Sequence, residues 1–409
     1  MFTITPASVW IIVQTMYARL TKSLTPGVKF GRMCSLLAFV IMFPVFFLYH
    51  NALALGVPPF LGGYFGVSVI IALPLLIISY WTLPRPYISA SFIGLTFWLL
   101  ILFMCTWIGL TGKSSLSPVT TISILKGLVI VVGFYLLGRT LVFQSKFEKF
   151  VLYASFAITF LIVVINTKDG VFSLGTGNPL ATYQFFGLIF LFVSIATMGT
   201  VNSTMGKMMV FAMTSIALVF NGSRSDGAAF LIAVIVYILL GRRSFIPIVL
   251  VAIVSVVVYL NLSNIVDLLL DSGISGIENN RFVDLLVNHS TASLNERAIF
   301  KENAMATIGE HFVVGAFGSY KPGEYSHNLL SMWVDFGLLG FLMYVFVICL
   351  PLLLYSKYEI LHAKKTKNRT ILALYLACVA LLIFAKMYLY PLFFLSLGLM
   401  AQHFHKREI

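Results

Sequence analysis

Two arginines and a histidine fall where an otherwise apolar chain turns polar. Arg224 lies in Asn221-Gly222-Ser223-Arg224-Ser225-Asp226, an island between two apolar stretches. Arg297 lies in a polar, loop-rich region from Asn261 to Tyr325, and His327 follows in Ser326-His327-Asn328, directly before another long apolar run. A guanidinium grips phosphate bidentately and the free amides of a helix start add donors, so a serine-flanked Arg224 suits an anion. Arg297 and Lys301, four apart on one helical face, and Arg281 upstream offer further cations. Together with Arg224 they could clamp a diphosphate without a metal and stabilise it as it departs. His327, with a reference pKa of about 6.5, could act as general base toward a hydroxyl. Glu324, three residues earlier, could orient the ring or serve as base itself.

Each of these groups also has a plainer reading. Arg224 fits an interfacial arginine beside Asp226, an N-cap for the next helix. Arg297 and Lys301 fit a solvated helix face with Glu296 and Glu302 as partners, and His327 fits a hydrogen-bonding anchor at the interface. Lys126 stands inside an apolar stretch, where charge is expensive. It marks either a functional site with a buried partner or a side chain snorkelling from a helix end. The candidate set is therefore His327, Arg224 and Arg297 as catalytic groups, with Arg281, Lys301, Glu324, Asn328 and Lys126 as substrate-binding groups. The chain has no Walker A sequence, no HExxH, no paired CxxC and no Asp-x-Asp. Nucleotide and zinc hydrolysis lose ground, and neither a cofactor nor a metal is expected.

The elements that must position these residues are membrane helices. The chain is 60% apolar and 10% charged, against about 45–50% and 25% for soluble domains. Stretches of about 20 apolar residues, each long enough to cross a bilayer core, recur along it. Candidate spans fall at 34–49, 64–80, 88–110, 119–138, 150–166, 181–199, 207–220, 227–240, 244–261, 328–355, 370–385 and 389–403, about twelve in all. A closed barrel is disfavoured because its strands would alternate polar and apolar residues. No cleavable signal peptide is expected from the order of the first 32 residues. Thr5-Pro6 reads as the start of an amphipathic helix lying in the interface. The four cysteines, Cys34, Cys105, Cys349 and Cys378, all lie in apolar stretches, so no disulfide framework is indicated.

The net charge of +13 reflects loop charges rather than a nucleic-acid surface. One set of alternate connections holds Arg19, Lys22, Lys29, Arg32, Arg139, Lys146, Lys149, Arg242, Arg243 and the Lys357–Arg369 cluster. The other set is poorer in cations though longer. The positive-inside rule then puts both termini in the cytoplasm and the polar region with Arg224 on the outer face. The domains expected are an N-terminal interfacial segment (1–32), spans one to nine (33–261), an outer loop domain (262–326), and the last three spans with a short tail (327–409). Within the loop, short apolar helices are expected near 265–270 and 282–287. A capping box at Ser293-Leu294-Asn295-Glu296 opens a helix to about Ile308, with Gly309 just past its end.

The ordered arrangement resembles the bacterial O-antigen polymerases (the Wzy type) and the related O-antigen ligases. The resemblance rests on Gly222-Ser223-Arg224-Ser225 before a span and on Asn295-Glu296-Arg297 opening a helix in a late outer loop. It continues in Val314-Gly315-Ala316-Phe317-Gly318, His327-Asn328-Leu329-Leu330 and Gly337-Leu338-Leu339-Gly340. The architecture covers nearly the whole chain, the specific residues only short stretches. The resemblance implies an all-helical, polytopic glycosyltransferase of the GT-C-like kind in the bacterial inner membrane, with a periplasmic active site. Arg224 and Arg297 would hold the diphosphate of an undecaprenyl-linked sugar, and His327 would activate the acceptor hydroxyl. Glycan substrates on undecaprenyl diphosphate, membrane lipids, a chain-length-regulating co-polymerase and a flippase are the implied partners. The spacing from His327-Asn328 to Gly337 is one residue shorter than in the ligase pattern, and Phe341-Leu342 stand where that pattern has threonines. Both departures favour a polymerase over a ligase that passes the glycan to lipid A-core. A lipid-linked oligosaccharide flippase would carry charge deep along a central path, and only Lys126 is placed for that.

Overall fold

The structure, a computed structural model, describes residues 26–54, 64–82, 88–111, 118–165, 167–168, 171–172, 183–221, 224–240, 292–319, 328–361 and 369–407. In chain order the helices are α1 (Pro26–Met42), α2 (Pro44–Ala54), α3 (Tyr64–Thr82), α4 (Ile88–Thr111), α5 (Pro118–Thr140), α6 (Lys146–Ile165), α7 (Tyr183–Thr200), α8 (Thr204–Asn221), α9 (Arg224–Leu239), α10 (Ala292–Glu310), α11 (Leu330–Leu361), α12 (Arg369–Phe384) and α13 (Pro391–Arg407). Pro26, Pro44, Pro118 and Pro391 each open a helix, where the missing N–H removes no ladder bond and the fixed φ suits the first turn. One departure from helix is a two-residue antiparallel pair, β1 (Thr167–Lys168) with β2 (Val171–Phe172).

The chain is a polytopic helical membrane protein. Among the described residues five stretches are long and apolar enough to cross a bilayer: Pro26–Tyr49, Ser91–Leu110, Lys146–Ile165, Thr204–Asn221 and Leu330–Ser356. Shorter apolar helices run over Gly66–Thr82, Phe186–Thr200, Ser225–Leu239 and Arg369–Phe384. Large apolar side chains such as Ile70, Leu102, Leu161, Leu342 and Leu353 are exposed on the outside, as a lipid-facing surface requires. The segment at 244–261, the N-terminal interfacial helix before residue 26, and the loop helices near 265–270 and 282–287 lie outside the described residues. Helix α1 begins at Pro26, eight residues before the expected start of the first span at 34. Helix α10 covers the capping-box segment and continues through Gly309 to Glu310.

Glycine sets the closest contacts of the core. Gly138 on α5 and Gly398 on α13 bring two backbones together: a Cβ on Gly398 would strike the Tyr135 carbonyl and come within 2.7 Å of the Arg139 nitrogen. Small residues are how membrane helices reach such packing, because lipid offers no hydrophobic drive to press helices together. On the other side of α5, Gly133 packs on Val69 of α3. An aromatic cluster fills the space beside α1, with the Phe39 and Phe43 rings stacked at 5.1 Å and the Phe192 ring 5.1 Å from Phe43. Between α5 and α6 the chain forms a reciprocal capping box. The Glu148 amide donates to Ser145 Oγ (3.1 Å), and Glu148 Oε2 accepts from the Ser145 and Gln144 amides, both 2.8 Å. Arg32 of α1 closes on the same carboxylate at 2.8 Å, tying α1 to the start of α6.

Gly398→Ala is expected to destabilise the protein by about 1–3 kcal/mol or more, as overpacked cores do. Gly27→Ala, at a position with open space for a Cβ, is expected to leave stability unchanged. Unfolding in mixed detergent–SDS micelles checks the pair.

Candidate functional site

The long helix α11 carries a defect that organises one end of the bundle. Its path is broken at Gly337, where φ is 64° and ψ is −169°. An interrupted helix frees backbone groups that lipid cannot satisfy, so another part of the protein must take them. The segment after α10 does this. The Ala316 amide donates to the Val334 carbonyl (2.6 Å), and the Leu338 amide donates to the Phe312 carbonyl (3.1 Å). The Trp333 indole N–H donates to that same Phe312 oxygen at 3.0 Å. The two backbones are so close that a Cβ on Gly337 would collide with the Val313 carbonyl, and one on Gly315 would lie 2.5 Å from the Gly337 nitrogen. Glycine is required at both positions twice over, since Gly315 also has a positive φ of 76°.

This junction holds a buried carboxyl group. Asp335 Oδ1 accepts the Gly318 amide at 3.2 Å, and Oδ2 accepts the Tyr388 hydroxyl at 2.8 Å. Tyr388 belongs to the connector between α12 and α13, and every polar part of it is used. Its amide donates to Ser331 Oγ (3.4 Å) and its carbonyl accepts the Tyr344 hydroxyl (2.6 Å). Its ring meets Phe336 edge-on, and Phe336 in turn touches Phe317 and Phe103. Ser331 Oγ also donates to the Asn328 carbonyl at 2.7 Å, and Asn328 Oδ1 caps α11 by accepting the Leu330 amide at 3.0 Å. Asn328, Ser331 and Asp335 thus form a polar ladder up the face of α11 that looks at the connector.

The same connector reaches the other polar island. Lys386 Nζ stands 3.7 Å from Oδ1 of Asp226, a fully buried residue in the first turn of α9, and lies over the Tyr390 ring at 5.5 Å. Asp226 is two residues after Arg224, which heads α9. A continuous set of contacts therefore runs from the start of α9, through Lys386 and Tyr388, to Asp335, Gly318 and the Asn328 cap. Leu389 packs on Gly127 of α5, next to Lys126, which is exposed at the level of this connector.

Helix α10 seats on α11 through Ala304 and Ile308, which pack with Val334, Leu330 and Trp333. Helical register puts positions 297 and 301 on this same side, with position 297 about 10 Å along the axis from Ala304. Lys301 is exposed. The helices bearing Arg224, Arg297, Lys301 and Lys126 are described, as is the cap residue Asn328, together with the side chains of Lys301, Lys126 and Asn328. Those of Arg224 and Arg297, and the whole of Arg281, Glu324 and His327, lie outside the described residues.

Asp335, Tyr388, Lys386 and Ser331 are additions to the candidates drawn from sequence. A carboxylate inside an apolar run, as at Asp335, is a signal the sequence carries. Nothing local in Lys386-Met387-Tyr388 reveals that it is a buried hub. Among the described residues no three His, Cys, Asp or Glu side chains gather into a set able to hold a metal ion. Neither the models of known protein families nor the curated proteins include a match to this chain.

Tyr388→Phe leaves the Asp335 carboxyl one donor short and is expected to cost about 1–3 kcal/mol. Combined with Asp335→Ala, the two losses should be less than additive by about 1 kcal/mol or more, since each removes half of one interaction. A double-mutant cycle measured by SDS unfolding checks this.

Proposed function

We propose that this chain is an O-antigen polymerase of the Wzy type. In this reading it is a GT-C-like enzyme of about twelve spans in the bacterial inner membrane, with both termini cytoplasmic and its site periplasmic. It joins oligosaccharide repeat units carried on undecaprenyl diphosphate into a polysaccharide. The observation that carries the reading is the meeting of separate short motifs at one end of the bundle. Val314–Gly318 is stitched to the backbone around Gly337, the Asn328 cap stands on the same polar ladder, and the helix opened by Arg224 joins through Asp226 and Lys386.

In the proposed reaction the terminal sugar hydroxyl of a lipid-linked repeat unit attacks the anomeric carbon of the growing chain with inversion. His327 takes the hydroxyl proton. A new glycosidic C–O bond forms as the anomeric carbon–phosphate oxygen bond breaks, and undecaprenyl diphosphate leaves with its electron pair. Arg224 and Arg297 stabilise the charge gathering on that leaving group, with Arg281 and Lys301 as supporting cations. Cleavage of the glycosyl diphosphate supplies the driving force, and holding two lipid-tethered reactants in one place supplies orientation. Glu324, Asn328 and Lys126 would contact substrate around this centre. A chain-length-regulating co-polymerase and a flippase that delivers the repeat unit are the partners this chemistry calls for.

Purified protein mixed with a lipid-linked repeat unit is expected to yield a ladder of longer glycans. Arg224→Ala and Arg297→Ala should each lower chain growth by about 10²–10³-fold, and His327→Ala by about 10²–10⁴-fold, at unchanged protein level. Transfer only when lipid A-core is added would make the protein a ligase. Transbilayer movement of the lipid without transfer would make it a transporter, and undiminished growth in both arginine variants would remove the diphosphate clamp.

A further inference from the structure

The segment that fills the break in α11 has an exposed apolar tip, and the proposed reaction makes no use of it. Phe312, Val313 and Val314 are 47%, 65% and 53% exposed, three in a row after the exposed polar pair Glu310 and His311. On a loop surrounded by water, consecutive exposed apolar residues are a fault unless they serve a function.

Main-chain contacts fix where this tip stands along α11. The Phe312 carbonyl accepts the Leu338 amide at 3.1 Å, and the Val313 carbonyl lies against Gly337. From Leu338 to Ser356 the helix carries no charged residue, with Asp335 before this run and Lys357 after it. The run is about 28 Å long, and a bilayer core of about 30 Å takes up all of it. The tip is therefore bonded to the residue at which α11 enters the core. From there Leu339, Leu342, Phe346 and Leu353 are exposed along one stripe of α11, the lipid-facing surface, and the tip stands at the head of that stripe. Trp333 lies between Phe312, edge-on at 5.1 Å, and Phe341, stacked at 4.7 Å, and gives its indole N–H to the Phe312 carbonyl. An indole with an apolar body and one polar atom suits the membrane boundary. Main-chain groups can leave water only when they are bonded. Here the Gly315 amide donates to the His311 carbonyl at 2.8 Å and the Ala316 amide to the Val334 carbonyl.

We infer that Phe312, Val313 and Val314 form a membrane anchor, a loop tip seated in phospholipid hydrocarbon at the end of the bundle that holds the Gly337 junction. Phospholipid is the occupant because the tip continues a helix surface that already faces lipid, at the depth where that surface begins. Seated so, the tip holds the C-terminal end of α10 at the bilayer edge, while Gly318 of the same segment bonds Asp335 on its protein side. The anchor stands whether or not the protein transfers glycans, and its test measures no transfer.

The unaltered full-length protein would be placed in phosphatidylcholine discs in which part of the lipid carries a photoreactive diazirine on the upper part of an acyl chain. A parallel sample would receive a water-soluble diazirine instead, and the adducts of both would be mapped by mass spectrometry. Phe312, Val313 and Val314 are expected to take lipid adducts in the same yield as Leu339 and Leu342, which serve as the lipid-facing reference within the same molecule. Lipid adducts at the reference residues with none at the tip would overturn the anchor. In that event, labelling of the tip by the water-soluble reagent would make it a water-facing loop. Labelling by neither reagent would mean that protein covers it, either a second copy of this chain or another partner.

Discussion

A helix that stops in the middle of an apolar environment must hand its free backbone groups to something else, and in this protein that demand is met at Gly337. The Val334 carbonyl and the Leu338 amide flank the break, and both are taken by the segment following α10. Because lipid cannot supply those hydrogen bonds, the segment 312–318 is not free to drift from α11. The end of the large polar region is thereby locked to a spanning helix by main-chain contacts, which depend on few side-chain identities beyond the two glycines that permit the approach.

From that junction the polar contacts pass through one short connector. Tyr388 spends its amide, carbonyl, hydroxyl and ring on four different neighbours, and Lys386 engages Asp226 at the head of α9. Buried polar groups of this kind are costly when half satisfied and specific when complete. The arrangement fixes α9, α11, α12 and α13 against one another at the end where the proposed diphosphate clamp would work. A clamp of guanidinium groups gains from such rigidity, because preorganised charge needs no reorganisation as the leaving group forms.

The opposite end follows a different logic. There the helices meet through glycine, as at Gly138 and Gly398, and through the capping box that Arg32 joins. The connector end is instead closed by the hydrogen bonds of Tyr388 and Asp335. The buried middle between them is aromatic and aliphatic, with Tyr375 anchoring across it by donating to the Ile348 carbonyl at 2.8 Å.

Local chemistry is legible in the order of residues. Apolar run length marks the spans, proline marks helix starts at Pro26, Pro44, Pro118 and Pro391, and the Ser293–Glu296 capping box marks α10, because each depends on neighbours a few residues apart. The run from Leu329 onward, however, reads as one uninterrupted span, and only the folded chain shows it broken at Gly337 to accept a distant segment. Likewise Asp335, Tyr388, Lys386 and Asp226 look like scattered polar residues until packing brings them together. Partners separated by 53 residues, as Asp335 and Tyr388 are, leave no mark on local periodicity. Composition and spacing thus set the helices and their polar ends. The tertiary structure alone chose which buried groups pair, since in a bilayer a polar group must find its partner wherever the packing puts one.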